Sequence, residues 1–320
     1  MPPGKVSEMK LEGIHHITAI TEDGQRNVDF YAGVMGLRLV KKTVNQDNPA
    51  VYHLFYADEK GSAGADLTFF EYPGIPRGRA GDGMIHTIRW RVAGAEALDF
   101  WAERLRQQGI ESEREDEGLR FADPEGLGHE LAVVEVSDEP LIADHPEVPA
   151  EVALRGFDAV RAYGSNPEAS RKLFEEALVF EPREWKAATG RPSWEARGDS
   201  RGGFYSYDEP PAERGLQGAG TVHHIAWASQ IDEHQAWRDR VIAAGASPTP
   251  VIDRFYFRSI YFREPSGVLF ELATLGPGFT VDEPLESLGE KLSLPPDYEH
   301  LREQVEPNLR PIVNPRTARV

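Results

Sequence analysis

The amino-acid sequence predicts an α+β fold of four βαβββ modules, which form two curved mixed β-sheet barrels with the helices outside. Three observations lead to this prediction. One order of elements, a short strand, an amphipathic helix and then further strands, recurs four times along the 320 residues. The motif His-His-Ile stands in the opening strand of the first and the last repeat. Every repeat also contains short runs rich in β-branched and aromatic residues, which favour strands.

The first module opens with a predicted strand at 13–21. A helix is predicted at 25–34, because apolar residues recur there at helical spacing and Gly36 follows. The remaining strands of this module are predicted at 37–45, 51–57 and 66–72.

Modules two, three and four repeat this order. Their opening strands are predicted at 84–90, 154–163 and 221–227. The helices of modules two and four are predicted at 95–108 and 231–244. In module three the pair Asn166-Pro167 is predicted to cap the helix, with proline at the first helical position. The other strands of module two are predicted near 112, near 119 and at 130–136. Those of module three are predicted at 181–186, 193–197 and 203–207. Those of module four are predicted near 251 and at 259–263 and 268–274.

Two segments divide the chain into larger parts. The proline-rich stretch 137–150 reads as a linker, so modules one and two span 10–136 and modules three and four span 151–276. A C-terminal tail, 277–320, should carry a short helix at 297–305 and lie over one of the domains. The glycine-rich loop 73–83 between modules one and two is expected to be a mobile surface loop.

Composition narrows the classes of function. The net charge of −18 and the pI near 5.0 disfavour nucleic acid and anionic membranes as partners, because both attract a cationic surface. The absence of cysteine excludes disulfides, thiolate zinc sites and cysteine nucleophiles. The sequence has no apolar run of about 18 residues and no signal-peptide pattern, so we expect a cytoplasmic protein.

Three residues form a candidate metal site: His16, His224 and Glu271. Each lies in a segment predicted as a buried strand, and Glu271 interrupts the apolar run 268–273. A charged group in such a run needs a partner. Two histidines and one carboxylate are the donor set of an open-sided divalent metal site.

Strand alternation selects one histidine from each pair. The second histidine shares its face with small or polar residues that suit a cavity wall, and the first shares its face with bulky residues. We therefore predict His16 and His224 as ligands. His15 and His223 are expected to pack in the core or to support the ligands from behind.

The other two modules predict that there is only one metal site. Thr87 and Ala159 occupy the positions that correspond to the ligand histidines, and Glu130, which aligns with Glu271, is expected to be structural. Since the ligands come from modules one and four, these modules must pair around the metal. Modules two and three should pair without one.

The motifs Gly-Ile-His-His-Ile-Thr, Val-His-His-Ile-Ala-Trp and Val-Leu-Phe-Glu-Leu-Ala-Thr resemble the vicinal oxygen chelate superfamily, which includes glyoxalases, bleomycin resistance proteins and extradiol dioxygenases. The stretches 30–37, 52–58 and 276–280 extend the resemblance. Within the superfamily the chain is similar to ring-cleaving dioxygenases that open hydroquinones.

This resemblance implies an extradiol-type ring-cleaving dioxygenase, acting with O2 on a small aromatic substrate. It implies Fe(II), with Mn(II) as a substitute, held by His16, His224 and Glu271. It also implies catalytic roles for Tyr261 and Arg254. A homo-oligomer is compatible with the sequence.

Two other functions stay open at this point. A glyoxalase-type isomerase would need a fourth protein ligand, for which Glu71 is the candidate in module one. A resistance protein that only binds a small aromatic molecule would need no catalytic metal.

Overall fold

The computed structural model describes residues 9–115, 117–184 and 191–316. Within them the α+β class of four repeated modules is confirmed, with two eight-stranded mixed sheets and few helices. Trp185 and Lys186, at the end of the strand predicted at 181–186, lie outside the described residues, as do the last four residues of the tail.

In the part of the chain that the structure describes, sixteen strands follow the modules in chain order. Module one contributes β1 (Ile14–Thr21), β2 (Arg38–Asn45), β3 (Asn48–Ala57) and β4 (Asp66–Glu71). Module two contributes β5 (Ile85–Val92), β6 (Ser112–Arg114), β7 (Gly118–Ala122) and β8 (Gly128–Val133). Module three contributes β9 (Phe157–Tyr163), β10 (Glu181–Pro182), β11 (Ser193–Arg197) and β12 (Gly202–Asp208). Module four contributes β13 (Val222–Ser229), β14 (Ile252–Asp253), β15 (Arg258–Arg263) and β16 (Leu269–Thr274).

The helices differ in type between modules. The α-helices are α1 (Gly24–Val28), α2 (Ala95–Gln107), α3 (His234–Ala243) and α4 (Arg302–Val305). The π-helical turns are Asp29–Val34, which continues α1, and Leu173–Ala177. The 3₁₀ turns are Pro167–Ser170, Phe279–Val281, Leu285–Ser287, Pro296–Leu301 and Glu306–Asn308.

The third module departs from the predicted capped helix. Pro167 does occupy the first helical position, but the Asn166 side chain makes no capping hydrogen bond. The segment is a 3₁₀ turn followed by a π-helical turn that closes with a bond from Leu178 N to the Leu173 carbonyl. Module one has the equivalent bond from Met35 N to the Phe30 carbonyl. A five-residue hydrogen bond in both modules widens the helix where it meets the sheet.

Each sheet joins modules from the two halves of the chain. The first has the order β14-β15-β16-β13-β1-β4-β3-β2, from modules four and one. The second has the order β10-β11-β12-β9-β5-β8-β7-β6, from modules three and two. In each sheet the two modules meet at one antiparallel strand pair, β1–β13 in the first sheet and β5–β9 in the second, and we call these two pairs the seams. The first seam brings the two His-His-Ile strands side by side.

Apolar helix faces cover the outer sides of the sheets. In α2 the residues Leu98, Trp101 and Leu105 recur at helical spacing and are fully buried in the main core. Burial of each such side chain contributes about 1.5–3 kcal/mol. Through this face α2 packs against β6, β7 and β8 of its own module.

Two glycine-rich connections cross each other between the sheets. The loop 73–83 pairs with the connection before β13, with bonds from Gly78 N to the Ala219 carbonyl and from Arg79 N to the Leu216 carbonyl, both 2.9 Å. A Cβ on Gly81 would collide with the backbone of Gly215. The glycines therefore allow close backbone contact, and these hydrogen bonds fix part of a loop that the sequence suggested to be mobile.

The C-terminal tail lies along the edge of the first sheet. Ser293 N donates to the Lys42 carbonyl of β2 at 2.9 Å. The fully buried Lys41 ammonium contacts Asp282, Glu283 and the Phe279 carbonyl of the tail. The tail thus covers a strand edge that would otherwise be open.

No helix in the described part of the chain is long and apolar enough to cross a bilayer.

Candidate metal centre

Three neighbouring strands bring His16, His224 and Glu271 together. His16 on β1 is in register with Ala226 on β13, and Ala226 is in register with Glu271 on β16. The two Nε2 atoms are 3.2 Å apart, and they lie 3.2 and 2.9 Å from Glu271 Oε2. All three side chains are buried. The structure therefore unites the three predicted ligands at one point, which we call the His/Glu trio.

A β-bulge in each strand moves the first histidine of each pair. In the pairing of β1 with β13, His15 is an extra residue on β1 that has no partner on β13. In the same way, His223 is an extra residue on β13 that has no partner on β1. An extra residue in a bulge breaks the alternation of faces. The expected placement of His15 and His223 on the opposite face is therefore wrong. Both rings lie beside the predicted ligands His16 and His224, in the supporting position that the sequence left open.

Hydrogen bonds fix the tautomer of His16. His15 Nε2 lies 3.2 Å from the Thr274 carbonyl, so this nitrogen must donate. In a neutral ring His15 Nδ1 is then an acceptor, and it lies 3.0 Å from His16 Nδ1. His16 Nδ1 therefore carries the proton, which leaves its Nε2 lone pair directed at the trio. The pair His223–His224 has the same Nδ1–Nδ1 contact at 2.8 Å.

The trio fits a divalent metal. Both Glu271 carboxylate oxygens are buried without a hydrogen-bond partner of suitable geometry. Burial opposes ionisation of this carboxyl, but the imidazoles of His16 and His224 hold its pKa well below the usual value. Burial lowers the pKa of His224. An ionised carboxylate and a neutral imidazole are the forms that bind metal.

A cavity of about 410 Å³ opens on the trio. This volume is within the usual range for small-molecule sites. Its apolar wall includes Phe55, Phe70, Phe257 and Leu269, and the Phe257 ring centroid is 5.1 Å from that of His16. A flat ring can therefore reach the trio between aromatic side chains.

Tyr261 and Arg254 both line this cavity. Tyr261 is in register with Glu271, and its ring centroid is 5.7 Å from that of His224. Burial, with the Glu271 charge, raises the pKa of Tyr261, so its hydroxyl stays protonated and can donate. The Arg254 guanidinium carbon lies 5.4 Å from the Tyr261 ring centroid.

Several residues in or beside the cavity were not predicted from the sequence. Asp47 holds Arg254 through two hydrogen bonds of 3.1 and 3.0 Å. Asp66 is buried beside His15 and His16, and burial, with Asp58 nearby, raises its pKa well above the usual value. His53 lines the wall formed by β3. Of these, only His53 had a sequence signal, because it lies in the matching stretch 52–58.

Glu71 has a different partner. Its Oε1 accepts a 2.8 Å hydrogen bond from Gly24 N at the start of α1. Among the described residues, the groups with metal-ligand spacing are the trio and the set His15, His16 and Asp66, neither of which includes Glu71. The structure thus gives no support for Glu71 as a fourth ligand.

In the second sheet, two arginines contact Glu130, the residue that aligns with Glu271, and each lies two residues beyond the position of a predicted ligand histidine. Glu130 Oε1 accepts from Arg89 Nε at 3.0 Å, and Arg161 Nη1 lies 3.6 Å from Glu130 Oε2. Arg89 shares its strand with Thr87, and Arg161 shares its strand with Ala159. Guanidinium groups therefore balance the buried Glu130 charge.

The fold and the trio define a class of protein. The chain belongs to the Glyoxalase/Bleomycin resistance protein/Dioxygenase superfamily, whose model matches residues 13–131 and 156–272. The resemblance seen in the His-His-Ile motifs is confirmed, and the two matched segments correspond to modules one and two and to modules three and four.

Individual relatives are similar in sequence over nearly the whole chain. The chain is 40% identical over 321 residues to "Putative ring-cleaving dioxygenase MhqA" of Bacillus subtilis (strain 168), covering 95% of this chain and 100% of the relative. It is 33% identical over 310 residues to "Chlorohydroquinone/hydroquinone 1,2-dioxygenase" of Sphingobium indicum, covering 92% and 95%.

Solved structures agree in fold. A crystal structure of a "putative dioxygenase" from Bacillus subtilis subsp. subtilis str. 168 has a TM-score of 0.88 at 39% identity, covering 96% of this chain and 99% of that chain. Glyoxalase I from Zea mays has a TM-score of 0.59 at 15% identity, covering 82% and 92%, which shows a shared fold alone.

Proposed function

We propose that the protein is an Fe(II)-dependent dioxygenase that opens a hydroquinone-type aromatic ring with O2, with Mn(II) as a substitute metal. The observation that carries this proposal is the trio, whose three donors meet at the wall of a cavity of ring-binding size. Two histidines and one carboxylate leave coordination positions free for ligands. The names of the two relatives supply the reaction and the substrate class.

We propose cleavage of the extradiol type, next to a single hydroxyl. In a hydroquinone the two hydroxyl groups are para to each other, on carbons 1 and 4. Carbon 2, which is bonded to carbon 1, therefore carries no hydroxyl group. The Sphingobium indicum relative is named as a 1,2-dioxygenase of hydroquinones, which supports cleavage of that bond. Both atoms of O2 would enter the opened product.

The chain's own residues would orient the substrate. A bound Fe(II) at the trio would supply electron transfer to O2 and would lower the pKa of a coordinated phenol. Tyr261 would donate a hydrogen bond to an oxygen atom held beside the trio. Arg254, positioned by Asp47, would offset negative charge at the same end of the cavity. Phe55, Phe70 and Phe257 would hold the ring and limit water.

The alternatives have weaker support. A glyoxalase-type isomerase needs a fourth ligand, and Glu71 instead accepts the hydrogen bond from Gly24. A binding protein without catalysis would not need the bare Nε2 atoms and the unpartnered carboxylate of the trio. Iron content together with oxygen uptake separates these functions.

The test is anaerobic reconstitution with Fe(II), followed by oxygen-electrode measurements with hydroquinone and with catechol. We expect one iron per chain and oxygen uptake that is faster with hydroquinone. Iron binding without uptake on either ring would contradict the dioxygenase.

A matched pair of variants tests the trio. Glu271→Gln should lower Fe(II) affinity by more than about 100-fold, because even changes behind a ligand cost 10–100-fold. Glu130→Gln, at the aligned position of the second sheet, should leave iron content unchanged. Equal iron content in the two variants would remove Glu271 from the metal site.

A further inference from the structure

His53 lies on β3, in the cavity wall opposite the seam between β1 and β13. Its ring centroid is 3.9 Å from that of Phe55 and 4.4 Å from that of Phe70. The side chain is partly exposed although protein surrounds it, because it borders the cavity. The aromatic neighbours hold the imidazole in one orientation.

A chain of hydroxyls links His53 to the strand that carries His16. His53 Nε2 is 2.9 Å from Thr68 Oγ1, and Thr68 Oγ1 is 2.8 Å from Thr18 Oγ1. Both threonines are fully buried. The Nε2 atom is therefore engaged with protein, and Nδ1 has no hydrogen-bond partner among the described residues. That nitrogen is available to a ligand in the cavity.

Thr43 on β2 has a buried hydroxyl without a partner in the described part of the chain, and the other polar side chains of the cavity away from the trio are already engaged. Asn45 donates to Tyr72, Gln46 to the Arg254 carbonyl, and Asp47 accepts from Arg254. Thr249 accepts from Tyr261 N. Tyr261 itself stands beside the trio. His53 is therefore the best-placed group for recognising a polar substituent far from the trio.

We infer that His53 recognises the second hydroxyl of a para-dihydroxylated ring whose first oxygen is held at the trio. This inference rests on the proposed function and assigns its substrate selectivity to one side chain. β3 lies two strand spacings, about 10 Å, from β1. A ring held through one oxygen directs its para substituent away from the trio and towards that wall, whereas an ortho hydroxyl stays beside the trio.

The chemistry of His53 suits a hydroxyl. Burial lowers the pKa of His53 well below its usual value, so the ring is neutral. A neutral imidazole offers one donor and one acceptor, and a hydroxyl can pair with either. A methyl group of similar size can pair with neither, and it would leave Nδ1 unpartnered.

Two substitutions separate the ring nitrogens. His53→Asn keeps a polar atom near the position of Nδ1, and His53→Gln keeps one near the position of Nε2. Anaerobic calorimetry on the metal-loaded protein would compare hydroquinone with 4-methylphenol. We expect the wild type to prefer hydroquinone about 10-fold, the effect of one buried hydrogen bond. The preference should persist in His53→Asn and vanish in His53→Gln, with hydroquinone KM raised about 10-fold there and kcat little changed.

The outcomes are distinct. A wild type that binds both ligands equally would overturn the assignment without any variant, as would a preference that survives in His53→Gln or is lost in His53→Asn. Wild-type protein that takes up no oxygen with hydroquinone would refute the proposed function. Uptake by the wild type with an unchanged preference in His53→Gln would refute the role of His53 alone.

Discussion

At the scale of single residues, the candidate metal site depends on two bulges as much as on the three side chains of the trio. An inserted residue on each seam strand places adjacent histidines on one side of the sheet. The carbonyl of Thr274 then fixes the proton on His15, and His15 fixes the proton on His16. A backbone carbonyl thereby determines which ring nitrogen of His16 is unprotonated.

The His15→Phe substitution tests this relay. The variant loses the acceptor for His16 Nδ1, so the imidazole can rotate or adopt the other tautomer. We expect Fe(II) affinity to fall about 10–100-fold, the effect of removing a group that orients a ligand. Anaerobic competition with a chelator measures it, with His129→Phe as a control for loss of a buried histidine in the second sheet. An unchanged affinity in His15→Phe would mean that packing alone orients His16.

The sequence predicted the trio because strand alternation and internal repetition are local signals. It could not predict the bulges, because they arise from pairing of β1 with β13, and His16 and His224 are 208 residues apart. For the same reason Asp47 was missed, since only folding brings it to Arg254. The helix predicted in module three was wrong in type because its hydrogen bonds follow 3₁₀ and π patterns, which the apolar spacing alone does not reveal.

At the scale of elements, the tail is attached to the cavity wall through one cation. Lys41 on β2 bonds to Asp282 at 2.7 Å and also contacts Glu283. Its ammonium lies 4.9 Å from the ring centroid of Tyr256, which lines the cavity. Tyr256 in turn donates a 3.0 Å hydrogen bond to Asp282. Tail, edge strand and cavity wall therefore share one buried ion cluster.

Loss of the cation should destabilise this cluster. Lys41→Met leaves two largely buried carboxylates without a partner, and breaking a buried pair costs about 3–5 kcal/mol in free energy of unfolding. Urea denaturation measures the loss. The triple variant Lys41→Met, Asp282→Asn, Glu283→Gln should recover most of it, because no charge is left uncompensated. Equal stability of the single and triple variants would show that the carboxylates are hydrated instead.

At the scale of the whole molecule, the two halves of the chain exchange modules. The first sheet combines modules one and four and holds the trio, and the second combines modules two and three and holds the arginine-balanced Glu130. One sheet can thus carry the chemistry while the other supplies a rigid support. The linker 137–150 is part of this support, since Asp138 bonds to Arg91 and Arg197 in the second sheet.

Separation of the halves should abolish the metal site. Fragments 1–136 and 151–320 carry one and two of the trio residues, so each alone should bind Fe(II) at least about 100-fold more weakly than the intact chain. Co-expression should restore binding, because the strands of both seams can pair again. A co-expressed 151–320 fragment with His224→Ala serves as the control. Tight iron binding by the isolated 151–320 fragment would contradict the need for His16.

The seam between β1 and β13 also orders events during synthesis. The strand with the first ligand leaves the ribosome long before the strands with the other two, so a nascent chain has only one of three donors until translation of the last module. The three-donor site can therefore form only after the last module has been synthesised. The redox-active ion of the proposed function would then meet a complete donor set only in a finished polypeptide.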